Sequence, residues 1–245
     1  TDGTDPDEFS TPYVSPVYQL GCTYKVVAYS AGLPGPITTA TVLSNGVVFS
    51  DFTYNDWFAA NVDRAVSLGV FGKSDDGKFN PRDKITRAQF VKALANLSGE
   101  DVSVYDFGDS IPSFTDVPSN AIYYHELAWA VNAGVVTPDS KFRPNDEIPR
   151  EQVCTMLDRF AKYAGLDVDV PAGEAFDDDK SISSWAKDAV YRMRNLGVVN
   201  GVGENRFNPK GNSDRAAACT MFVNFYDFVI APNDISGSNT PATKY

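Results

Sequence analysis

The stretch Phe79-Asn80-Pro81-Arg82-Asp83-Lys84-Ile85-Thr86-Arg87-Ala88-Gln89 decides the fold, because the chain carries two further versions of it. They are Phe142-Arg143-Pro144-Asn145-Asp146-Glu147-Ile148-Pro149-Arg150-Glu151-Gln152 and Phe207-Asn208-Pro209-Lys210-Gly211-Asn212-Ser213-Asp214-Arg215-Ala216-Ala217. From Phe to Arg is 8 residues each time. Upstream, Phe49-Ser50-Asp51, Phe114-Thr115-Asp116 and Phe176-Asp177-Asp178 precede Gly69, Gly134 and Gly197 by 20, 20 and 21 residues, counted from the Phe. From that Gly to the second Phe is 10, 8 and 10. Landmarks recurring at such spacing mark units that stack to share one core.

Each copy reads as helix, loop, helix. The helices are expected at 55–68, 86–98, 120–133, 149–164, 183–196 and 214–229. After the Arg, apolar residues fall at i, i+1, i+4 and i+7: Phe90, Val91, Leu94, Leu97, then Val153, Cys154, Leu157, Phe160, then Ala218, Cys219, Phe222, Phe225. That is a core-facing stripe. The stripe of the preceding helix is Val62, Ala65, Val66 and Leu127, Ala130, Val131, whereas the third copy has Val190, Met193 and then Arg194, which predicts exposure there. The shared Gly suits a helix C-terminus that needs positive φ. Thr86 with Gln89 fits a capping box, Pro149 suits a first helical turn, and Asp214 can cap through its carboxylate. The fold expected is mainly α, three tandem repeats related by approximate threefold symmetry and unfolding together.

Composition narrows the function. Hydrophobic residues at 43% and aromatics at 13% suffice for a core. No apolar run approaches about 18 residues, so no membrane-spanning helix and no membrane insertion is expected. With 21 Lys+Arg against 32 Asp+Glu the net charge is −11, which would repel a phosphate backbone, so nucleic acid is not an expected partner. One His (His125) and three Cys (Cys22, Cys154, Cys219), without CxxC or HExxH, leave little for zinc or triad chemistry. His125 reads as a helix-surface residue, and Cys154 and Cys219 as small core residues. The acidic clusters Asp75-Asp76-Gly77 and Asp177-Asp178-Asp179 do not match an EF-hand loop and read as solvated surface. No pair of carboxylates is singled out for glycoside hydrolysis. No cofactor and no catalytic residue is expected.

The flanks differ. Residues 1–43, with runs such as Tyr24-Lys25-Val26-Val27-Ala28-Tyr29, read as strands of a partial β domain. The repeats are bounded as 49–98, 114–165 and 176–230, and 231–245 has the composition of a tail. Thr1 stands where an initiator Met would, and no signal-like stretch follows, which suggests a piece of a longer precursor.

Several residues recur where chemistry could sit. Arg87, Arg150 and Arg215 occupy first helical turns, where the macrodipole disfavours a cation by roughly 0.3–1 kcal/mol. Either free helix N–H groups and a guanidinium fork form an anion site, or each Arg is a scaffold ion pair to the column Asp51, Asp116, Asp178. Trp57 and Trp185 lie 12 residues before the shared Gly, with Ile122 in that place in the second copy. They could stack on a sugar face or pack in the core. Gly72 and Gly201 in the inter-helix loops allow close ligand approach or a special turn.

Laid out this way, the pattern resembles the S-layer homology repeat, with Ile85-Thr86-Arg87-Ala88-Gln89 nearest its signature, over about 49–230. The resemblance implies a three-pronged pseudo-trimer that anchors bacterial surface proteins non-covalently to secondary wall polymers, often pyruvylated and anionic. It places the chain outside the cell at the bacterial wall, as a non-enzymatic module. It also weights Arg87, Arg150 and Arg215 toward ligand contact in inter-repeat grooves. Self-association with neighbours in a surface layer, or a place at the end of a polysaccharide-degrading enzyme, are the alternatives. Thr1-Asp2-Gly3-Thr4-Asp5-Pro6, Tyr13 and Tyr24-Lys25-Val26-Val27-Ala28 with Gly32 resemble the latter half of the immunoglobulin-like domain at the C-terminus of chitobiases. The second signature departs to Ile148-Pro149-Arg150-Glu151-Gln152 and its loop is short, with Pro138 in the turn. If each loop floors the pocket of its own Arg, Arg87 and Arg215 should matter more for binding than Arg150.

Overall fold

The computed structural model describes residues 21–30, 33–73, 76–108, 111–170 and 173–233. Strands β1 (Cys22–Ser30), β2 (Leu33–Val42) and β3 (Val48–Phe49) form an antiparallel sheet in the order β1-β2-β3. β3 already belongs to the first repeat, where Phe49 pairs with Thr41. The Thr41 hydroxyl donates to the Phe52 carbonyl at 2.5 Å, and Leu43 is fully buried, so the sheet and the first repeat share a core. Most residues that carry the immunoglobulin-like resemblance, 1–20 and 32, lie outside the described residues, as do 234–245 of the tail.

Six principal helices follow: α1 (Ala59–Ser67), α2 (Arg87–Ser98), α3 (Tyr124–Asn132), α4 (Arg150–Tyr163), α5 (Lys187–Asn195) and α6 (Arg215–Phe225). α6 runs on through a π-helical turn, Tyr226–Ile230, into Ala231–Asn233. The second helix of each repeat starts where the signature places it. The first helices begin at Ala59, Tyr124 and Lys187 rather than at 55, 120 and 183. The chain before them is tightened into turns closed three residues back: Ala59 N–H on Asp56 O, Tyr124 N–H on Ala121 O, Ala186 N–H on Ser183 O. In the first repeat the Asp56 carboxylate also accepts the Thr53 N–H at 2.7 Å.

The caps follow sequence chemistry. Thr86 and Gln89 form a reciprocal capping box, and Asp214 accepts the Ala217 N–H at 2.8 Å. Pro149 stands one position earlier than expected, at the N-cap, and supplies no side-chain bond. Gly69, Gly134 and Gly197 end the first helices at φ 71°, 69° and 77°, a conformation costly for any residue with a Cβ.

The second helices pack chiefly on the first helix of the next repeat, although Phe160 also meets Trp129 of its own repeat, ring centres 6.0 Å apart. α2 packs on α3, α4 on α5, and α6 returns to α1. Phe90, Val91, Leu94, Val153, Cys154, Leu157, Ala218, Cys219, Phe222 and Phe225 are buried almost completely by this exchange. Burial pushes the Cys154 thiol up to about 12, consistent with an inert core residue.

A closed ring of backbone hydrogen bonds marks the pseudo-threefold axis. Ile85 N–H donates to Ser213 O at 3.0 Å, Ser213 N–H to Ile148 O at 3.2 Å, and Ile148 N–H to Ile85 O at 3.0 Å. The three residues are buried together. Removing one repeat leaves the ring open and one helix stripe bare at each broken junction. A chain cut after residue 170 is expected to lose the single cooperative melt by circular dichroism, and a two-repeat product that melts sharply would contradict this closure.

Candidate functional site

The repeated Arg, Asp and Phe side chains meet at every junction between repeats. Each Asp serves the Phe-x-Pro turn of its own repeat. Asp51 accepts the Phe79 and Asn80 N–H groups at 3.1 and 2.7 Å, Asp116 those of Phe142 and Arg143 at 2.8 Å each, and Asp178 those of Phe207 and Asn208 at 2.8 Å each. The middle residue of each turn, Asn80, Arg143 or Asn208, is left-handed, with φ 56°, 58° and 55°. These conformations are held by the carboxylates against local preference. Burial raises the carboxyls of Asp116 and Asp178, but the paired N–H donors outweigh it and both titrate below their ordinary 3.8.

Each Arg serves the turn of the next repeat. Arg87 Nε donates to Phe142 O at 2.9 Å, Arg150 Nε to Phe207 O at 2.9 Å, and Arg215 Nε to Phe79 O at 2.7 Å. Each guanidinium also lies over the ring of that Phe, 4.8, 4.9 and 5.0 Å from its centre. Burial lowers all three guanidinium pKa values, yet a group of this basicity stays cationic.

This geometry corrects both sequence readings of the Arg column. Among the described residues no Arg of the column forms an ion pair with Asp51, Asp116 or Asp178; Arg and Asp act on opposite sides of one Phe backbone. The helix N–H groups are not free for an anion either. Arg87 and Ala88 donate theirs to Asp146 O and Pro144 O, Arg150 and Glu151 to Gly211 O and Pro209 O, Arg215 and Ala216 to Asp83 O and Pro81 O. Closing the ring consumes these donors, and of the outer guanidinium nitrogens Arg87 Nη1 donates to Gln152 Oε1.

The pairing of loops with arginines is corrected too. The short loop of the second copy floors the Arg87 groove, not that of Arg150. That groove holds a cavity of about 420 Å³ lined by Arg87, Thr137, Pro138, Asp139, Lys141, Arg143, Asp146, Glu147, Pro149 and Gln152, with Phe114 beneath. Arg150 faces the third loop, donating through Nη2 to Asn200 O at 2.8 Å. Arg215 faces the first loop.

Trp57 and Trp185 are 68% and 57% exposed, and Ile122 in their place is 82% exposed, so this position points outward in all three copies. Gly72 has open space where a Cβ would stand, whereas a Cβ on Gly201 would lie 2.9 Å from the Arg206 carbonyl. Close backbone approach therefore explains Gly201, whereas Gly72 faces open space. The exposure expected at Arg194 is only partial: it is half-buried, lies 3.9 Å over the Phe176 ring and donates to Glu174 O and Asn205 Oδ1. His125 is exposed, with Nδ1 on Tyr105 O. Lys141, Arg143 and Gln152 enter the site only through the inter-repeat contact; the recurring Gln at Arg+2 in two signatures was the visible signal. Among the described residues no group of His, Cys, Asp or Glu is placed to hold a metal ion, and no helix is long and apolar enough to cross a membrane.

The S-layer homology domain model matches residues 48–91, 113–154 and 175–219. The chain is 31% identical over 182 residues to an exoglucanase, XynX, of Acetivibrio thermocellus, covering 74% of this chain and 16% of that protein. It is 32% identical over 198 residues to an amylopullulanase of Thermoanaerobacterium thermosulfurigenes, 76% of this chain and 10% of the other. With S-layer protein EA1 of Bacillus anthracis it shares 32% over 117 residues, 47% and 13% of the two chains. The chain thus spans only a small part of the length of these relatives.

The Asp carboxylates give the site a pH signature. A folded-state pKa below the unfolded one contributes stability that is complete above the unfolded value and lost as pH falls through the folded one. For Asp116 and Asp178, and for Asp158, where burial is outweighed by Arg192 and Lys162, that window opens near pH 4 and extends downward. Asp116→Asn with Asp178→Asn should lower the melting temperature at pH 7 and flatten its fall between pH 4 and 2; an unchanged acid slope would contradict the role given to these carboxylates.

Proposed function

Because the chain belongs to the S-layer homology family, whose domains anchor surface proteins to the bacterial cell wall, we propose that its inter-repeat grooves bind an anionic, pyruvylated secondary wall polysaccharide. The observation that carries this reading is the Arg87 guanidinium, seated on the Phe142 ring in the wall of the inter-repeat groove. A planar guanidinium holds a carboxylate through two parallel bonds, stronger and more directional than neutral hydrogen bonds. The exposed Trp57 and Trp185 offer aromatic faces for sugar rings. The overall charge of −11 does not steer an anion, and the Arg87 groove mixes Lys141 and Arg143 with Asp139, Asp146 and Glu147. Recognition therefore rests on short-range hydrogen bonds, and moderate salt should weaken it little.

In this reading the module is not itself catalytic, and any hydrolytic activity belongs to other parts of the parent protein. A second reading, self-association in a surface lattice, draws on the similarity to S-layer proteins of Bacillus anthracis and Bacillus thuringiensis. Sedimentation with purified sacculi separates the two. Anchoring predicts co-sedimentation that disappears when the secondary polymer is stripped, and that Trp57→Ala and Trp185→Ala weaken without lowering the melting temperature. Sedimentation unchanged by stripping would overturn the anchoring reading, and sugar release would favour an enzyme.

A further inference from the structure

The sequence holds two Asn-Gly pairs, Asn45-Gly46 and Asn200-Gly201. Asn is chemically labile, and most so before Gly, where the following N–H can attack the Asn side-chain amide with no Cβ to hinder its approach. The two pairs stand in opposite states. At the first, both reacting groups are engaged: Gly46 N–H donates to Leu43 O at 2.9 Å, and Asn45 Oδ1 accepts the Val47 N–H at 3.1 Å. At the second, both residues are exposed, and among the described residues neither the Gly201 N–H nor the Asn200 side chain has a hydrogen-bond partner.

One atom of the second pair is held, and it is the atom on which the product depends. The Asn200 main-chain oxygen accepts Arg150 Nη2 at 2.8 Å. The guanidinium is itself fixed, by Nε on Phe207 O at 2.9 Å and by the Phe207 ring, 4.9 Å from its centre. Arg150 is only 9% exposed, so a cation with little freedom is aimed at one carbonyl. A cation fixed on a carbonyl oxygen stabilises the negative charge that develops there when water adds to the carbon.

We propose that Asn200-Gly201 is a self-modification site at which Arg150 directs the product toward isoaspartate. The steps balance without oxidant or cofactor. Hydroxide removes the Gly201 amide proton, and the nitrogen bonds Asn200 Cγ. The Cγ–Nδ2 bond breaks, and the side-chain nitrogen takes a proton from water and leaves as ammonia. The cyclic imide that remains joins the Gly201 nitrogen to both carbonyl carbons of residue 200. Water then adds to one of these carbons and breaks its bond to nitrogen, which regains a proton. Addition at Cγ gives an ordinary aspartate. Addition at the main-chain carbon, whose oxygen Arg150 holds, reroutes the chain through Cγ and leaves the former main-chain carbonyl as a free carboxylate. The neutral acceptor of Arg150 thereby becomes an anion, and the contact between the second and third repeats becomes an ion pair. Either product adds one negative charge to the −11 of the chain.

Incubation of the folded chain at mildly alkaline pH, followed by peptide mapping with mass spectrometry and isoaspartate-specific enzymatic methylation, tests this. Asn200 should convert about ten- to a hundred-fold faster than Asn45, where two hydrogen bonds must break first. A more acidic species should grow in on anion exchange and be absent from Asn200→Gln. The ratio of isoaspartate to aspartate at residue 200 should fall about tenfold, the worth of one hydrogen bond from a charged donor, when the same chain reacts in denaturant at the same pH. A folded Arg150→Lys, which keeps the charge without the planar donor fork, should also lower it. Conversion at Asn45 as fast as at Asn200, no conversion at Asn200, or a ratio in the folded chain equal to that in denaturant overturns the proposal. Should Arg150→Lys fail to fold, the comparison of folded with denatured wild-type chain decides. None of these readouts involves a wall ligand, so failure here leaves the anchoring reading untouched.

Discussion

The backbone of one Phe in each repeat is held from two sides. Its N–H is taken by an Asp of the same repeat, and its C=O by an Arg of the repeat before it. The Asp fixes a left-handed turn, and the Arg couples that turn to a neighbouring helix start. Because the Arg partner is always the next copy, with the third copy returning to the first, the clasps form a cycle. The core is built the same way, each stripe finishing on the next repeat's first helix. No repeat has a complete interior of its own, which is why a one-dimensional stack becomes a closed trimer of units.

The closing junctions are alike in backbone and different in side chains. Between the second and third repeats, Asp158 is 3% exposed and takes Arg192 through two bonds at 2.6 and 3.0 Å. Glu151, also 3% exposed, accepts Ser183 and Lys210. The corresponding positions on α2 are Ala88 and Ala95, and on α6 Ala216 and Val223. Buried pairs of this kind contribute little net stability but penalise wrong partners heavily. They set the junction of the second and third repeats apart from the other two. The same departure from symmetry makes the grooves chemically unequal, so a scaffold with threefold geometry does not imply threefold binding.

Much of this was legible in the sequence. Fixed spacing gave three units, the i, i+1, i+4, i+7 stripes identified the core of the second helices, and Thr86, Asp214 and the three shared glycines marked helix ends correctly. The starts of the first helices were missed because tight turns ending at Phe58 and Tyr123 carry helix-like patterning. The site was legible as columns, not as contacts. Nothing in spacing tells whether Arg87 belongs with the loop at 70–79 or with that at 135–142, because the ring that assigns it to the second is a long-range closure. Hence Arg and Asp looked like partners of each other, when both are partners of a backbone group between them, and the helix N-termini looked open to anions.

Native-state hydrogen exchange tests the closure directly, through the amides of Ile85, Ile148 and Ser213 on the axis and of Arg87, Arg150 and Arg215 beside it. An interior shared by all three repeats opens only when the whole module unfolds. All six amides should then exchange with one free energy, equal to that of global unfolding. If one junction's amides exchange at a distinctly lower free energy while the others stay at the global value, the repeats are separable units and the cyclic clasp is not what holds them together.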